Sequence, residues 1–252
     1  MLTVTMNTKT PVDQNTLLSL NKTTGGVIST HTASPADHTT AIRPARQIPP
    51  SGKTPKPSPS QPAHRIPPLL KPVQKGQKLS IETASPLGGI KVCFGWNTVN
   101  PACDVDVSAF LLGADGKVTG DSWFVFYGQA KSPDQSVVFH PDSSADREYF
   151  DIDFHKLNPS VHKIVFVLTI HEALARRLHF GMLKDAYIRI LTENGKTELA
   201  SFQMKEYYTN VISMMIGEVY RHNGIWKFHA VGNGVARDLA GLCELYGVRI
   251  SD

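Results

Sequence analysis

The sequence predicts an all-β fold for residues 76–252, a β-sandwich of two mostly antiparallel sheets with a short C-terminal helix. Short apolar runs recur through this region and are broken by turn residues. Because no long helical pattern separates the runs, a sandwich is favoured over a parallel α/β sheet. Two Asn-Gly dipeptides, at 194–195 and 223–224, each lie between two such runs. Both residue types tolerate positive φ angles, so each pair predicts the turn of a β-hairpin.

A change in composition near residue 75 predicts that a disordered, Pro-rich arm precedes the domain. Residues 1–75 hold twelve of the 17 prolines, and nine Lys or Arg residues against two acids give them a net charge of +7. Such a segment buries too little apolar area to offset its chain entropy, and its proline runs favour polyproline II. A linker or tail is the simpler interpretation, and a docking segment for a partner's aromatic groove is the other.

The predicted strands follow one another at the spacing expected of a sandwich. Residues 162–170 form the most apolar run, which predicts a central strand buried on both faces. A turn is expected at 114–117, between the second and third strands. The predicted strands are 90–96, 105–112, 123–127, 136–140, 150–154, 162–170, 186–191, 197–202, 214–220 and 226–231.

One helix is predicted at the C-terminal end. Val235, Leu239, Leu242 and Leu245 recur at helical spacing. Asn233 is expected to cap the start of this helix, and Gly247 to end it. A second, short helix is expected at 173–178.

Acidic residues form the clearest candidate site. Asp104 and Asp106 stand two residues apart in a predicted strand, so both carboxylates should point outward while Val105 and Val107 face the core. Like charges this close repel one another, and a bound hard cation such as calcium relieves the repulsion. A second acidic cluster follows in a predicted loop. The alternative is a solvated acidic edge that discourages strand aggregation. The second cluster consists of Asp142, Asp146, Glu148, Asp151 and Asp153.

Several other function classes lack their signatures. The three cysteines form no CxxC pair, which disfavours a disulfide framework and suggests reduced thiols in the cytoplasm. No apolar run is long enough to span a membrane, and we expect no secretory signal at the N-terminus. Neither a phosphate-binding glycine loop, a nucleophile elbow nor a HExxH zinc motif occurs. Since the basic charge belongs to the arm, we expect no nucleic-acid surface on the domain.

Motifs spread along the domain resemble the TerD family of bacterial tellurium-resistance and stress proteins. They include Gly95-Trp96, the DVDVSAF run at 104–110, Ser132-Pro133-Asp134 and the GEVYRHNG run at 217–224. Phe180-Gly181 and the segments at 116–118, 226–228 and 231–234 also match in order and spacing. The resemblance covers residues 76–252 and not the arm.

The resemblance implies a sandwich that holds calcium between acidic loops and has no established catalytic reaction. It places Asp104 and Asp106 at the family's acidic pair. Asp142 matches the family's Gly-Asp-Asn turn, and Asp146 and Glu148 match the outer members of its Asp-Asp-Glu cluster. Ser143 and Arg147 depart from that pattern, so a weakened site is expected. The resemblance also implies other stress or tellurium-resistance proteins as partners. The expected calcium ligands are Asp104, Asp106, Asp142, Asp146 and Glu148.

Four hypotheses follow from the sequence. The first is a non-enzymatic calcium-binding stress protein that recruits partners. The second is a divergent, metal-independent interaction module tethered by its arm. The third is a metal-assisted hydrolase that uses the acidic pair and a histidine. The fourth is direct handling of tellurite by the thiol of Cys93 or Cys103.

Overall fold

Thirteen strands, two α-helices and two short 3₁₀ helices make up the secondary structure of the described residues. The structure is a computed structural model that describes residues 12–13, 63–81, 88–141 and 145–251. Most of the predicted disordered arm therefore lies outside the described residues. The elements in chain order are β1 (Val12–Asp13), β2 (Lys78–Ser80), β3 (Gly89–Thr98), β4 (Val105–Leu112), β5 (Phe124–Val125), β6 (Val137–Pro141), β7 (Glu148–Asp153), β8 (Lys163–Ile170), α1 (Ala173–Arg176), β9 (Leu183–Thr192), β10 (Glu198–Gln203), β11 (Ser213–His222), β12 (Ile225–Val235), α2 (Leu239–Tyr246) and β13 (Ile250–Ser251).

Two antiparallel sheets face each other, as the sequence predicted. One has five strands in the order β10-β9-β3-β7-β6, and the other has six in the order β2-β12-β11-β8-β4-β5. β1 and β13 form a separate parallel pair. The prediction of an all-β sandwich with a short C-terminal helix is confirmed. No helix in the described part of the chain is long and apolar enough to cross a membrane.

The strand alternation divides the core into two clusters. Ile164, Phe166 and Leu168 of β8 face the space between the sheets, where the larger cluster lies. Val165 and Val167 point to the other side, where they pack with Leu242, Cys243 and other residues under α2. Because α2 covers the outer side of the six-stranded sheet, β8 is buried on both faces. The prediction made for residues 162–170 is therefore confirmed.

The two Asn-Gly pairs lie at hairpin turns, as expected. Asn223 and Gly224 both have positive φ angles, 52° and 79°, and join β11 to β12. Gly195, at 69°, lies in the turn between β9 and β10. Side chains other than glycine and asparagine rarely adopt these angles, which explains why the sequence signal at both turns is strong.

The predicted start of the C-terminal helix is wrong. Asn233 and Val235 belong to β12, where they pair with Met215 and Ser213 of β11. The helix begins at Leu239, and the side chain of Asp238 caps it by accepting a hydrogen bond from the Gly241 N–H. Strand pairing therefore outweighs the helical spacing at this point. The predicted end is correct, since Gly247 caps the helix with a φ of 80°.

The strand predicted at 123–127 is shorter than expected. Its pairing with β4 is confined to Phe124 and Val125, because Asp121–Trp123 forms a 3₁₀ turn just before them. Phe126 and Gln129 then exchange backbone hydrogen bonds in a tight turn. The chain therefore leaves the six-stranded sheet after two paired residues.

Contacts with the sandwich begin before residue 76. We call residues 63–75 the strap. The side-chain amide of Asn97 holds the backbone of His64 through two hydrogen bonds, of 2.7 and 3.0 Å. Further along, the Ser201 N–H donates to the Lys71 carbonyl, and the Val73 N–H donates to the Ser201 carbonyl. The strap therefore crosses the outer side of the five-stranded sheet and pairs with the free edge of β10.

Candidate metal centre

Three loops meet at one end of the sandwich. They connect β3 to β4, β8 to β9, and β10 to β11. The end of β8 pairs with the start of β4, where Val105 lies opposite Ile170. The backbone N–H of His171 donates to the carbonyl of Asp104 over 2.9 Å. This pairing fixes Asp104 and Asp106 at the same end, which we call the acidic end. Strand order alone therefore brings several predicted site residues together.

Asp106 is more enclosed than the sequence predicted. Its side chain does leave the core face of β4, but its Oδ2 atom is fully buried and has no hydrogen-bond partner. Burial first, and then the nearby carboxylates of Glu148 and Asp104, raise the pKa of Asp106 to about 9. Ser108 lies two residues further on the same face, and its buried Oγ also lacks a partner. Buried polar atoms usually have hydrogen-bond partners, so the unpaired oxygens of Asp106 and Ser108 on one face of β4 call for an explanation.

Glu148 encloses Asp106 from the opposite sheet. It is the first residue of β7, and its Oε2 accepts a hydrogen bond of 2.9 Å from the Val107 N–H of β4. This contact links the two sheets at the acidic end. It also brings a second carboxylate to Asp106, because Val107 is the next residue along β4. Sequence alone could not predict this arrangement, since it depends on how the two sheets pack.

Asp104 completes a group of three neighbouring carboxylates. Burial raises its pKa above the ordinary value of 3.8, while the positive ends of His171 and Arg176 lower it in part. Asp104 therefore has cationic neighbours on the loop that follows β8. Asp106 instead faces mainly other acids.

Asp146 does not join this group. Arg189 of β9 binds both of its carboxylate oxygens, with nitrogen–oxygen distances of 2.8 and 2.7 Å. The Tyr187 hydroxyl donates to Oδ1 over 2.9 Å. Tyr187 also contacts His64 of the strap. Asp146 is thus held by a buried ion pair on the outer side of the five-stranded sheet, apart from Asp106.

Asp142 and Arg147 are the two remaining residues of the expected acidic pattern. Asp142 lies outside the described residues. Arg147, which stands where the family's middle acid is usual, points to Trp96, and its Nε donates to the Trp96 carbonyl over 2.6 Å. Sequence reasoning missed Arg189 and Tyr187. A single charge within the apolar run AYIRIL of β9 was the available signal for Arg189.

The acidic end suits a hard cation in part. Oxygen atoms are the ligands that calcium prefers, and Asp104, Asp106 and Glu148 supply them. No group of three or more His, Cys, Asp or Glu side chains is already arranged as a metal site within residues 63–81, 88–141 and 145–251. The orphaned Oδ2 of Asp106 and the repulsion between carboxylates nevertheless fit a missing positive charge.

The three cysteines are free and buried. Burial is the main cause that raises the pKa values of Cys93 and Cys103, and it raises the pKa of Cys243 to about 12. The thiolate is the reactive form of cysteine, so none of these thiols is activated. This disfavours the hypothesis that Cys93 or Cys103 handles tellurite directly.

Comparison with known proteins identifies the family. The model of the TerD domain matches residues 71–246. The chain belongs to the TerD family. A tellurium resistance protein TerD from Alcaligenes sp is 41% identical over 188 residues, which cover 71% of this chain and 98% of that protein. General stress protein 16U of Bacillus subtilis (strain 168) is 35% identical over 186 residues, which cover 70% and 96% of the two chains.

A solved structure supports the fold of this TerD-family chain. The crystal structure of a protein of unknown function, SAV2460, superposes with a TM-score of 0.52 and 22% sequence identity. The match covers 65% of this chain and 98% of that one. The family match begins at residue 71, within the strap.

Proposed function

We propose that this TerD-family chain acts in the stress response or in tellurium resistance by binding calcium and partner proteins, without catalysing a reaction. At the acidic end Asp104, Asp106 and Glu148 supply calcium ligands, and Asp142, which lies outside the described residues, is the remaining expected ligand. The observation that carries this proposal is the buried Oδ2 of Asp106, which has no hydrogen-bond partner and lies beside two other carboxylates.

The charges of the acidic end support a cation with oxygen ligands. Calcium takes six to eight oxygens, and its affinity grows with the number of charged ligands. Asp146 is held by Arg189 and is not counted among them. With fewer carboxylates than the family pattern offers, we expect a dissociation constant of about 10⁻⁴ to 10⁻³ M.

The protein's own residues would hold the ion and sense it. Glu148 links the two sheets through the Val107 N–H, so calcium binding at Glu148 would stiffen the contact between β7 and β4. Bound calcium would take the place of the proton on Asp106 and hold its carboxylate beside Glu148, which favours the folded state by mass action. The chain thus has a physical means of coupling calcium concentration to the stability of the acidic end.

A second candidate is a metal-independent interaction module. The Asp146–Arg189 pair favours it, because this pair removes one expected carboxylate from the acidic end. Partners in either case would be other stress or tellurium-resistance proteins. Three buried free thiols support a reducing compartment, and on that basis we propose a cytoplasmic location.

Calcium titration of the full chain by calorimetry tests the proposal. We expect heat from the parent and from a Glu244→Gln control, whose carboxylate lies exposed on α2 far from the acidic end. An Asp106→Asn variant should give no heat. Without calcium, the same variant should melt at a higher temperature than the parent at neutral pH, because it no longer buries a carboxyl whose pKa folding raises to about 9.

The opposite results would separate the two candidates. If the parent gives no heat at millimolar calcium, the calcium proposal fails and the metal-independent module remains. If Asp106→Asn binds calcium as tightly as the parent, the ion lies elsewhere. Capture of partner proteins with and without a chelator then shows whether recruitment depends on calcium.

A further inference from the structure

Three loops at the acidic end carry exposed apolar side chains. Val99 and Leu174 are 62% and 64% exposed, and Tyr208 is 44% exposed. The loops are joined by hydrogen bonds, since the Val99 N–H donates to the Met182 carbonyl and the Gly181 N–H donates to the Tyr208 carbonyl. Exposed aliphatic side chains of this kind on adjacent loops form a surface that can enter an apolar phase.

The backbone presents Leu174 to solvent in a fixed way. Glu172 and Arg177 flank α1, and their φ angles are 49° and 54°. Residues with a Cβ atom rarely adopt this conformation, and such strain is concentrated at functional sites. The Arg177 N–H donates to the Leu174 carbonyl, so the single helical turn closes on itself with Leu174 on its outside.

Two basic residues lie close to Leu174 in the chain. Arg176 and Arg177 are exposed and follow Leu174 and Ala175, while exposed Glu172 precedes them. The loop that carries Arg176 is fixed beside Asp104, because the His171 N–H donates to the Asp104 carbonyl. Calcium bound at Asp104 would therefore leave Arg176 available for another anion.

The N-terminal arm joins the domain at the same end. His64 is held by Asn97, close to the last residue of β3. The 62 residues before the strap contain six Lys or Arg residues and two acids, with no acid after Asp37. A segment of this composition is attracted to any uniformly anionic surface, without a need for shape complementarity.

We infer that the acidic end docks on an anionic phospholipid bilayer when calcium is bound, with Val99 and Leu174 entering the interface and Arg176 and Arg177 contacting lipid phosphates. This inference rests on the proposed calcium site. Without calcium, the carboxylates of Asp104, Asp106 and Glu148 oppose the anionic surface. Bound calcium offsets two of these negative charges, so the repulsion from the surface weakens and the aliphatic and basic side chains can act together. Lipid suits this mixture better than a protein partner, because two aliphatic side chains and a basic composition attract an anionic surface without requiring a complementary shape.

Sedimentation of the full chain with vesicles tests the inference. We expect the chain to sediment with vesicles of phosphatidylglycerol and phosphatidylcholine in calcium, but not in chelator and not with phosphatidylcholine alone. A Val99→Ser, Leu174→Ser variant should bind at least about tenfold more weakly, because it loses two buried aliphatic side chains. An Arg176→Gln, Arg177→Gln variant should lose about fivefold per charge.

A matched control uses an aliphatic residue at the opposite end. Ile225, 42% exposed at the turn between β11 and β12, is changed to Ser, and sedimentation should not change. Unchanged melting temperatures show that the exposed substitutions leave the fold intact.

The failures can be told apart. Calcium heat in calorimetry without sedimentation overturns the docking inference and leaves the proposed calcium site in place. If neither calcium heat nor sedimentation is observed, the docking inference and the proposed calcium site both fail. Sedimentation that ignores chelator, or that is equal for neutral vesicles, overturns the inference as stated. The inference also fails if the chain binds a protein partner in a calcium-dependent way that needs Leu174, but does not bind anionic vesicles.

Discussion

Arg189 and Asp146 form the most enclosed ion pair described in the structure. The two side chains are only 13% and 4% exposed, and two hydrogen bonds join them. Tyr187 donates a third hydrogen bond to Asp146. Removing one member of such a pair leaves the other charge buried without a partner. The resulting loss of stability is larger than the net stability that the intact pair contributes.

Replacement of Arg189 by Met should therefore destabilise the protein by about 3–5 kcal/mol. The reason is that the Asp146 carboxylate stays buried without its bidentate partner. Chemical denaturation at neutral pH measures the loss. A second change, Asp146→Leu, made in the Arg189→Met background, should restore a large part of the stability.

The Arg249–Asp121 pair provides the control for this prediction. Its nitrogen–oxygen distance is 3.3 Å, but the Arg249 side chain is 76% exposed. Exposed pairs contribute about 1 kcal/mol or less, so Arg249→Gln should have a small effect. Equal losses from the two arginine variants would show that burial does not set the strength of the Asp146 pair.

Among the elements, the turn that leads into β6 is organised by one carboxylate. The hydroxyls of Ser132 and Ser136 donate to Asp134 Oδ1 over 2.7 and 2.6 Å, and the Asn158 N–H donates to Oδ2 over 2.8 Å. Burial alone would raise the pKa of Asp134. The hydrogen bonds from Ser136, Ser132 and Asn158 outweigh burial and lower the pKa below 3.8.

This carboxylate should make the turn sensitive to acid. Because the folded pKa is lowered, its contribution is present above the unfolded value near 3.8 and disappears as the pH falls through the folded value. Asp134→Asn should cost about 1 kcal/mol at neutral pH and nothing at strongly acidic pH. Denaturation across this pH range measures the difference, with the exposed Glu244→Gln change as the control. A difference that stays constant with pH would contradict the assignment.

The elements also show which features the sequence could predict. Turns at Asn194-Gly195 and Asn223-Gly224, and the double-sided burial of β8, depend on local chemistry and strand periodicity, so they were predictable. The start of α2 was missed because Asn233 and Val235 pair with β11, a long-range interaction that helical spacing does not reveal.

The same distinction applies to the candidate site. The spacing of Asp104 and Asp106 predicted two carboxylates that point away from the core, and in the structure Oδ2 of Asp106 is nevertheless buried. The enclosure of Asp106 by Glu148 and the capture of Asp146 by Arg189 depend on residues more than 40 positions apart in the chain. Contacts between sheets determine them, and no pattern within one strand contains that information.

At the scale of the whole molecule, the strap protects a sheet edge. β10 is an outer strand of the five-stranded sheet, and residues 71–73 use the backbone groups of Ser201 that would otherwise face solvent. Unpaired edges invite pairing with other chains. Pro72, which lacks an N–H, lies at the centre of this cover and limits further pairing on its outer side.

A chain begun at residue 76 should therefore be less stable and more prone to self-association than a chain begun at residue 63. The shorter chain loses the His64–Asn97 and Ser201 hydrogen bonds, while both chains lack the rest of the arm. Light scattering at several concentrations and thermal melting measure the two effects. Identical behaviour of the two chains would show that the strap does not protect β10.

Burial of the thiols determines how the protein meets an oxidant in solution. A cysteine that reduces an oxyanion is itself oxidised and must be regenerated before it can act again. Cys93, Cys103 and Cys243 are enclosed by the core and carry raised pKa values, so an oxidant in solution meets no thiolate. Oxidation of these thiols therefore requires the core around them to open, so its rate should follow local unfolding of the sandwich.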